Sequence, residues 1–468
     1  MARPISPEEK EYAQQLLAKA RAAMKAIEEY DQAKIDRLCQ AVGWATANEK
    51  TFTRLCRQGV EESGIGDWDG RPGKRFKIMG ILRDCLRQKS MGIVEEIPEK
   101  GIVKYAKPAG VICGVVPMTN PTLTPSGEGV LALKAKDAII FAPHPRTKKT
   151  SFENVEIMRE TLRRLGAPED LFQCVETPSI PLTQELMAIC DLTIATGGQP
   201  MVRSAYSSGR PAYGVGAGNS TMVIDETANV EEAARNTRMS KTSDFGSGCS
   251  ADGNLLVHAS IYDALLAQLI KEGGYLASDE EKAKLQAAMW DDHGGRTLET
   301  IAQAAPKLAT KAGFTIPADR KFIIVKQDKI GKEHKFSGEK LTTLMAYYRF
   351  KDFDEALAMV RAIYDVGGKG HSCGIYSFDD DHIHRLAQVA PVSRMMVRQP
   401  QSKANAGSFT NGMPMTSSLG CGVWGGNITN ENISLKHYLQ YTWVSRPTPE
   451  DKPSEKELFG EFYNSETL

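Results

Sequence analysis

Of the nine cysteines in the chain, Cys249 stands in a setting unlike the rest. It lies in Asp244-Phe245-Gly246-Ser247-Gly248-Cys249-Ser250, among small residues and just ahead of the apolar run LLVHAS. A thiolate in such a place can be approached by a carbonyl carbon from one side, and the glycines leave its backbone N–H open as a donor. A buried cysteine in a turn is the competing account, and the small polar neighbours speak against it because they make a poor apolar core. Most of the other cysteines sit in apolar runs, as Cys113 does in GVICGVV and Cys174 in FQCVE, and are expected to be buried and inert. The count is odd, the spacing wide and no CxxC pair occurs, which argues against a disulfide framework and a structural zinc site.

Asn120 offers a side-chain amide in Pro117-Met118-Thr119-Asn120-Pro121, after the GVICGVV run. Asn before Pro favours a turn, and a turn at the carboxyl end of a parallel strand is also a favoured place for a site. The glycine-rich run from Gly214 to Asn219, with Gly216 at its centre, does not spell GxGxxG and does not open the first βα unit, so taken alone it says little. Asp379-Asp380-Asp381-His382-Ile383-His384 has metal-ligand residue types, but carboxylates at a helix start followed by surface histidines account for it more simply. No metal is expected.

The elements that must hold these residues follow from periodicity. Ser6-Pro7-Glu8-Glu9 is a helix start with a capping box, and apolar residues then recur at helical spacing. A second helical stretch is predicted from about Asp31 to Glu61, so the first ~90 residues read as all-helical. GIVEEIPEKGIVKYAKP alternates around Glu99-Lys100-Gly101 and predicts a hairpin at 92–110. The runs GVICGVV, AIIFAP, LFQCVE, LTIAT and TMVID are short, apolar and separated by helical segments, which implies a buried parallel sheet. A second α/β region carries LLVHAS, KFIIV, TLMAYYRF, CGIYSF and RMMVRQP, and LKHYLQYTWVSRP is a final strand. The last ~20 residues are rich in proline and charge. The expected domains are 1–228 for cofactor binding, 229–410 bearing the nucleophile, and 411–468 returning to the first and ending in the C-terminal strand.

Composition sets outer limits. The chain has 468 residues, 41% hydrophobic and 25% charged, with 58 basic and 58 acidic side chains, so no nucleic-acid partner is expected. The opening MARPISPEEK has no apolar signal region, and no run approaches the ~20 apolar residues of a membrane helix. A cytoplasmic location without membrane attachment is expected.

The Cys249 segment, with GVICGVVPMTNPT, APHPRTKK, ATGGQPMV, SSGRPAYGVGAGNS, GEKLTTLMAYY, GKGHSCGIYS and SLGCGVWGGN, resembles the CoA-acylating branch of the aldehyde dehydrogenase superfamily. The motifs arrive in family order over roughly Gly92 to Asn430. The resemblance implies an α/β fold with two Rossmann-like domains and a small β oligomerisation element. It is closest to the acylating succinate-semialdehyde, sulfoacetaldehyde and acetaldehyde enzymes.

It also implies a chemistry. Cys249 attacks an aldehyde, the amide of Asn120 and the Cys249 N–H hold the oxyanion, hydride passes to NAD or NADP, and the thiol of CoA takes the acyl group. Glu339 matches the glutamate that holds the nicotinamide ribose, although this chain has Thr343 where relatives often have proline. Gly197, Gly198, Gly216 and the His144-Pro145-Arg146 turn fall at dinucleotide positions, with a tight strand-to-helix turn as the other account of the two adjacent glycines. Arg146, Lys148 and Lys149 either form a solvated helix start or favour a 2′-phosphate, so the preference leans to NADP. His371 either lines the CoA or acyl pocket or is a packed, hydrogen-bonded histidine. Arg398, Lys403 and Thr119 are candidates for an anionic acyl tail, or hold surface and structural roles.

In the hydrolytic branch an E-L-G-G glutamate activates water, and here glycine, Gly214, stands in its place. Attack by water is then expected to be slow and attack by a thiol favoured. Sulfoacetaldehyde and succinate semialdehyde are the expected substrates, with acetaldehyde and glycolaldehyde open. A hydrolytic dehydrogenase and a non-catalytic scaffold are the competing readings. The hairpin and the C-terminal strand are expected to make a homodimer or a dimer of dimers.

Overall fold

In a computed structural model, which describes residues 3–464, the chain opens with helices Pro7–Ala26, Gln32–Ala47, Glu49–Ser63 and Arg75–Leu86. Ser6 accepts from the Glu9 N–H while the Glu9 side chain returns to Ser6, the reciprocal cap expected there. The long helix expected over 31–61 is two helices. Asn48 adopts an extended conformation, its Oδ1 caps the second helix at Thr51 N, and its Nδ2 takes the terminal carbonyls of Trp44 and Ala45. One polar residue thus satisfies both helix ends, a local event to which apolar periodicity is blind.

A five-stranded parallel sheet follows in the spatial order Phe172–Cys174, Ala138–Pro143, Val111–Val116, Leu192–Thr196, Ala212–Val215. The strand order reverses beside Val111–Val116, which opens a crevice at the carboxyl ends of the strands. The turns bearing Asn120, His144, Gly197 and Gly216 all leave from that edge.

A seven-stranded parallel sheet runs Gly274–Leu276, Phe322–Lys326, Leu344–Phe350, Asn254–His258, Thr221–Ile224, Cys373–Tyr376, Met395–Val397. Alternate residues feed two cores: Val223, Leu256 and Ile323 on one face, Met222, Leu255 and Phe322 on the other. The domain boundary expected at 228 falls too late. The TMVID strand, expected in the first sheet, pairs with Asn254–His258 and Cys373–Tyr376, so the chain changes sheets between Val215 and Thr221.

The hairpin pairs Gly92–Ile97 with Ile102–Pro108 around Gly101 in the left-handed region, φ 59°. Strand Leu439–Ser445 adds to Ile102–Pro108 as the third strand of this antiparallel sheet. Before it, Met415, Ile433, Leu435 and Tyr438 rejoin the core of the first sheet. Residues 446–464 run on exposed, with one short helix at Glu455–Phe459.

Candidate active site

Cys249 lies five residues ahead of Asn254–His258, and His371 two residues ahead of Cys373–Tyr376. Both sit at the amino edge of the seven-stranded sheet, outside the separated pair Asn254–His258 and Cys373–Tyr376. There His371 Nε2 is 2.9 Å from Cys249 Sγ, and His371 Nδ1 is 2.8 Å from Ser372 Oγ. If Nε2 accepts the thiol proton, Nδ1 carries the ring hydrogen and donates it to Ser372. Arg394 donates to the His371 carbonyl at 2.8 Å and fixes the backbone behind the ring.

Burial, with Glu339 and Cys421 nearby, pushes the Cys249 thiol up to about 12. Burial and Arg394 push His371 down to about 3. The resting pair is therefore a neutral thiol against a neutral imidazole. The other eight cysteines are buried, and Cys249 is the one that is half-exposed.

Three features hold the nucleophile loop. Asp244 and Phe245 are non-glycine residues in the left-handed region, at φ 48° and 50°, a conformation that persists only where surrounding contacts impose it. Asp244 supplies those contacts: its carboxylate takes Ser247 Oγ at 2.7 Å, the Asp67 N–H at 2.8 Å, Arg71 Nε at 3.0 Å and Lys74 Nζ at 2.6 Å. Burial raises its pKa, yet Lys74 and Arg71 outweigh this and hold it at about 2. On the other side Gly218 lies so close that a Cβ would fall 2.0 Å from the Cys249 carbonyl oxygen.

Glu339 approaches the same place, its Oε1 accepting the Gly218 N–H at 3.1 Å. Burial raises its pKa to about 7, against Arg296, Lys241 and Lys340 nearby. Lys340 is buried and donates to Asn254 Oδ1 at 2.6 Å, and Asn254 reaches Asn219. Gly218 thus ties Glu339 to the nucleophile loop.

Asn120 comes from the opposite sheet edge. Its Oδ1 accepts from Lys74 Nζ at 2.7 Å, and the Thr119 carbonyl lies 3.5 Å from the same ammonium. Lys74 therefore spans from Asn120 to Asp244 on the loop of Cys249. Lys403 belongs to this neighbourhood: burial first, then Lys74, lowers its pKa. Arg398 does not. It follows the carboxyl end of Met395–Val397, donates its N–H to the Ile375 carbonyl, and stacks at 4.1 Å on Phe378. That is the carboxyl edge of the sheet, four strand residues or roughly 13 Å along it from His371, so the structure does not bring Arg398 to Cys249.

The glycine turn that follows Leu192–Thr196 is open. A Cβ at Gly198 would meet nothing nearer than 3.7 Å, and one at Gly197 would touch only Met201 at 3.4 Å. The Gly216 N–H donates to Asn427 Oδ1 at 3.2 Å, and a Cβ there would stop 3.4 Å from Cys421 Sγ. Gly214 differs. A Cβ at Gly214 would be 2.6 Å from Val202 Cγ1 and 2.8 Å from the Tyr206 ring, so no longer side chain fits there without displacing helix Gln199–Tyr206. His144 Nδ1 caps Arg146 N at 3.1 Å, and the Arg146 guanidinium donates to the Ser63 carbonyl at 2.9 Å. Glu62 caps helix Lys148–Arg164 by accepting from Lys149 N and Thr150 N.

The metal-like run resolves into packing: Asp379 caps helix Asp380–Val389, while His382 pairs with Asp225 at 2.9 Å and stacks on Phe353 at 3.8 Å. Asp225, Glu226 and His382 are mutually close, with the Asp225–His382 pair accounting for two of the three. Sequence reasoning missed Lys74, Arg394 and Gly218. None lies in a motif with its partner, and Lys74 stands 46 residues from Asn120.

The aldehyde dehydrogenase family model matches residues 5–321. Sulfoacetaldehyde dehydrogenase of Acholeplasma sp is 43% identical over 451 residues, 95% of this chain and 93% of that protein. The crystal structure of an acetylating aldehyde dehydrogenase from Geobacillus thermoglucosidasius superposes with a TM-score of 0.91 at 33% identity, covering 96% of this chain and 99% of that one. Propionaldehyde dehydrogenase from Rhodopseudomonas palustris, solved with bound CoA and an acylated cysteine, gives 0.83 at 25% identity over 93% of this chain and 97% of that one. No helix among the described residues is long and apolar enough to cross a membrane. Matched by the family model over residues 5–321 and by these relatives over nearly its whole length, the chain belongs to the aldehyde dehydrogenase family.

Proposed function

We propose that this protein, a CoA-acylating aldehyde dehydrogenase, joins a short anionic aldehyde to CoA through Cys249. His371 takes the thiol proton as Sγ attacks the carbonyl carbon, and the Asn120 amide with the Cys249 N–H receives the oxyanion. Gly197 and Gly198 suit a dinucleotide, since the space beside them stands open, with Gly216 and Glu339 as its further contacts, the Glu339 carboxylate accepting from Gly218 beside the loop that bears Cys249. The dinucleotide supplies the acceptor for the hydride. Once its proton has passed to solvent, His371 serves as base for the CoA thiol; the CoA sulfur attacks the acyl carbon, Cys249 Sγ leaves as a thiolate, and His371 gives the proton back to it.

The observation that carries CoA over water is the packing at Gly214. Val202 and Tyr206 fill the space in which a water-activating carboxylate would have to stand. A thiol needs less activation than water, so the thioester on Cys249 waits for CoA.

The anionic substrate class rests on Lys403, the cation in this neighbourhood that is not committed to Asn120 and Asp244, together with similarity to a sulfoacetaldehyde enzyme. The lean to NADP gives way to NAD in this reading. Glu62 already places a carboxylate on the amides at which a 2′-phosphate would bind, and Arg146 is turned to Ser63. Nine free thiols suit a reducing cytosol.

The test is NAD(P)H formation with and without CoA across sulfoacetaldehyde, succinate semialdehyde, acetaldehyde and glycolaldehyde. Expected are one burst per site without CoA, steady turnover with it, and highest kcat/KM for an anionic aldehyde with NAD. Brisk turnover without CoA would refute the acylating reading, and highest kcat/KM for acetaldehyde the anionic one.

A further inference from the structure

An amide used as an oxyanion donor has to present nitrogen to the substrate, yet its two ends have nearly the same shape. Asn120 has a device that decides between them. The atom facing Lys74 must be oxygen, because an ammonium only donates, and the contact is 2.7 Å. With Oδ1 committed to Lys74, the amide NH2 is the part left for the carbonyl oxygen of the reacting aldehyde. A charged donor on the oxygen also polarises the amide and strengthens its N–H groups as donors.

Lys74 is itself held. Its ammonium is 2.6 Å from Asp244 Oδ2, and Asp244 is buried and stays ionised under Lys74 and Arg71. The same carboxylate anchors Ser247 and the strained turn that leads to Cys249. One ion pair therefore joins the oxyanion donor on one sheet edge to the nucleophile loop on the other.

We propose that Lys74 is a positioning residue for acyl transfer, which, clamped by Asp244, holds the Asn120 amide with its NH2 toward the carbonyl that Cys249 attacks. This rests on the reading of Asn120 as oxyanion donor. Lys74 touches neither substrate nor cofactor in this role and acts only through the amide.

The experiment measures the first turnover, as NAD(P)H formed per site when enzyme and dinucleotide meet aldehyde without CoA. Asn120→Ala is expected to slow this burst by about 100-fold. Lys74→Met is expected to slow it by about 10-fold or more, and the double variant to be no slower than Asn120→Ala alone. Lys74→Arg, which keeps a cationic donor, returns the burst to within a few-fold of wild type, and KM for the dinucleotide stays unchanged throughout. Iodoacetamide modifies Cys249 in Lys74→Met at the wild-type rate. If Lys74→Met does not fold, Lys74→Gln takes its place in the cycle.

A wild-type burst in Lys74→Met overturns the proposal. So does a double variant slowed by the full product of the two single effects, or alkylation that falls in step with the burst, since Lys74 would then act on the thiol loop. A wild-type burst in Asn120→Ala overturns the oxyanion reading, and the proposal with it.

Discussion

At Cys249 the thiol and His371 are both neutral at rest, because burial disfavours either charged form. The free enzyme should therefore hold little thiolate at neutral pH. The folded pKa of the cysteine is raised, so the thiolate fraction grows with pH and is still growing at pH 9. Iodoacetamide inactivation without cofactor is expected to speed up about tenfold per pH unit from 7 to 9. A plateau below pH 8 would show a pre-formed thiolate and sink this account. The same pair marks a limit of the sequence: GHSC reads equally as a packed histidine or a site histidine until residues 122 apart are brought to 2.9 Å.

Among the elements, strand Ala212–Val215 and helix Gln199–Tyr206 close the place of the missing base. Gly214→Glu is expected to gain no CoA-independent turnover and to lose about 1–3 kcal/mol of stability by overpacking. Hydrolysis appearing in that variant, read as repeated NAD(P)H formation without CoA, would contradict it. The element pattern was legible where runs were long and apolar, as in GVICGVV or TLMAYYRF. It failed at Gly274–Leu276 and Ala212–Val215, three and four residues long, which carry too little periodicity to stand out. TMVID was recognised as a strand but set in the first sheet, since alternation reports a strand's faces and not its neighbours. Lys403 and Arg398, five residues apart, part company because Arg398 ends at Phe378 past the strand, while Lys403 sits on the helix Gln401–Ala404 near Lys74 and Asp244.

For the whole molecule, the three-stranded sheet has two open edges and carries exposed Trp443, Tyr441 and Val444, with Lys104 lying 4.1 Å over the Trp443 ring. An apolar edge strand of this kind is a template for pairing with another chain. We infer a homodimer or dimer of dimers built on this sheet. Trp443→Glu is expected to shift the protein toward monomer in sedimentation velocity at micromolar concentration, and a monomeric wild type under the same conditions would remove the idea.

The bond from Gly216 to Asn427 spans 211 residues, and it closes the glycine turn with a segment synthesised long after it. A nascent chain has the strands of its first sheet long before it has Asn427 or the Tyr438 that packs into that core. The seven-stranded unit, lying wholly between them, is free to mature first on the ribosome while the earlier half waits. A chain stopped before Asn427 would therefore be hurt most in its earlier half, leaving Cys249 on a sound scaffold facing an unfinished partner.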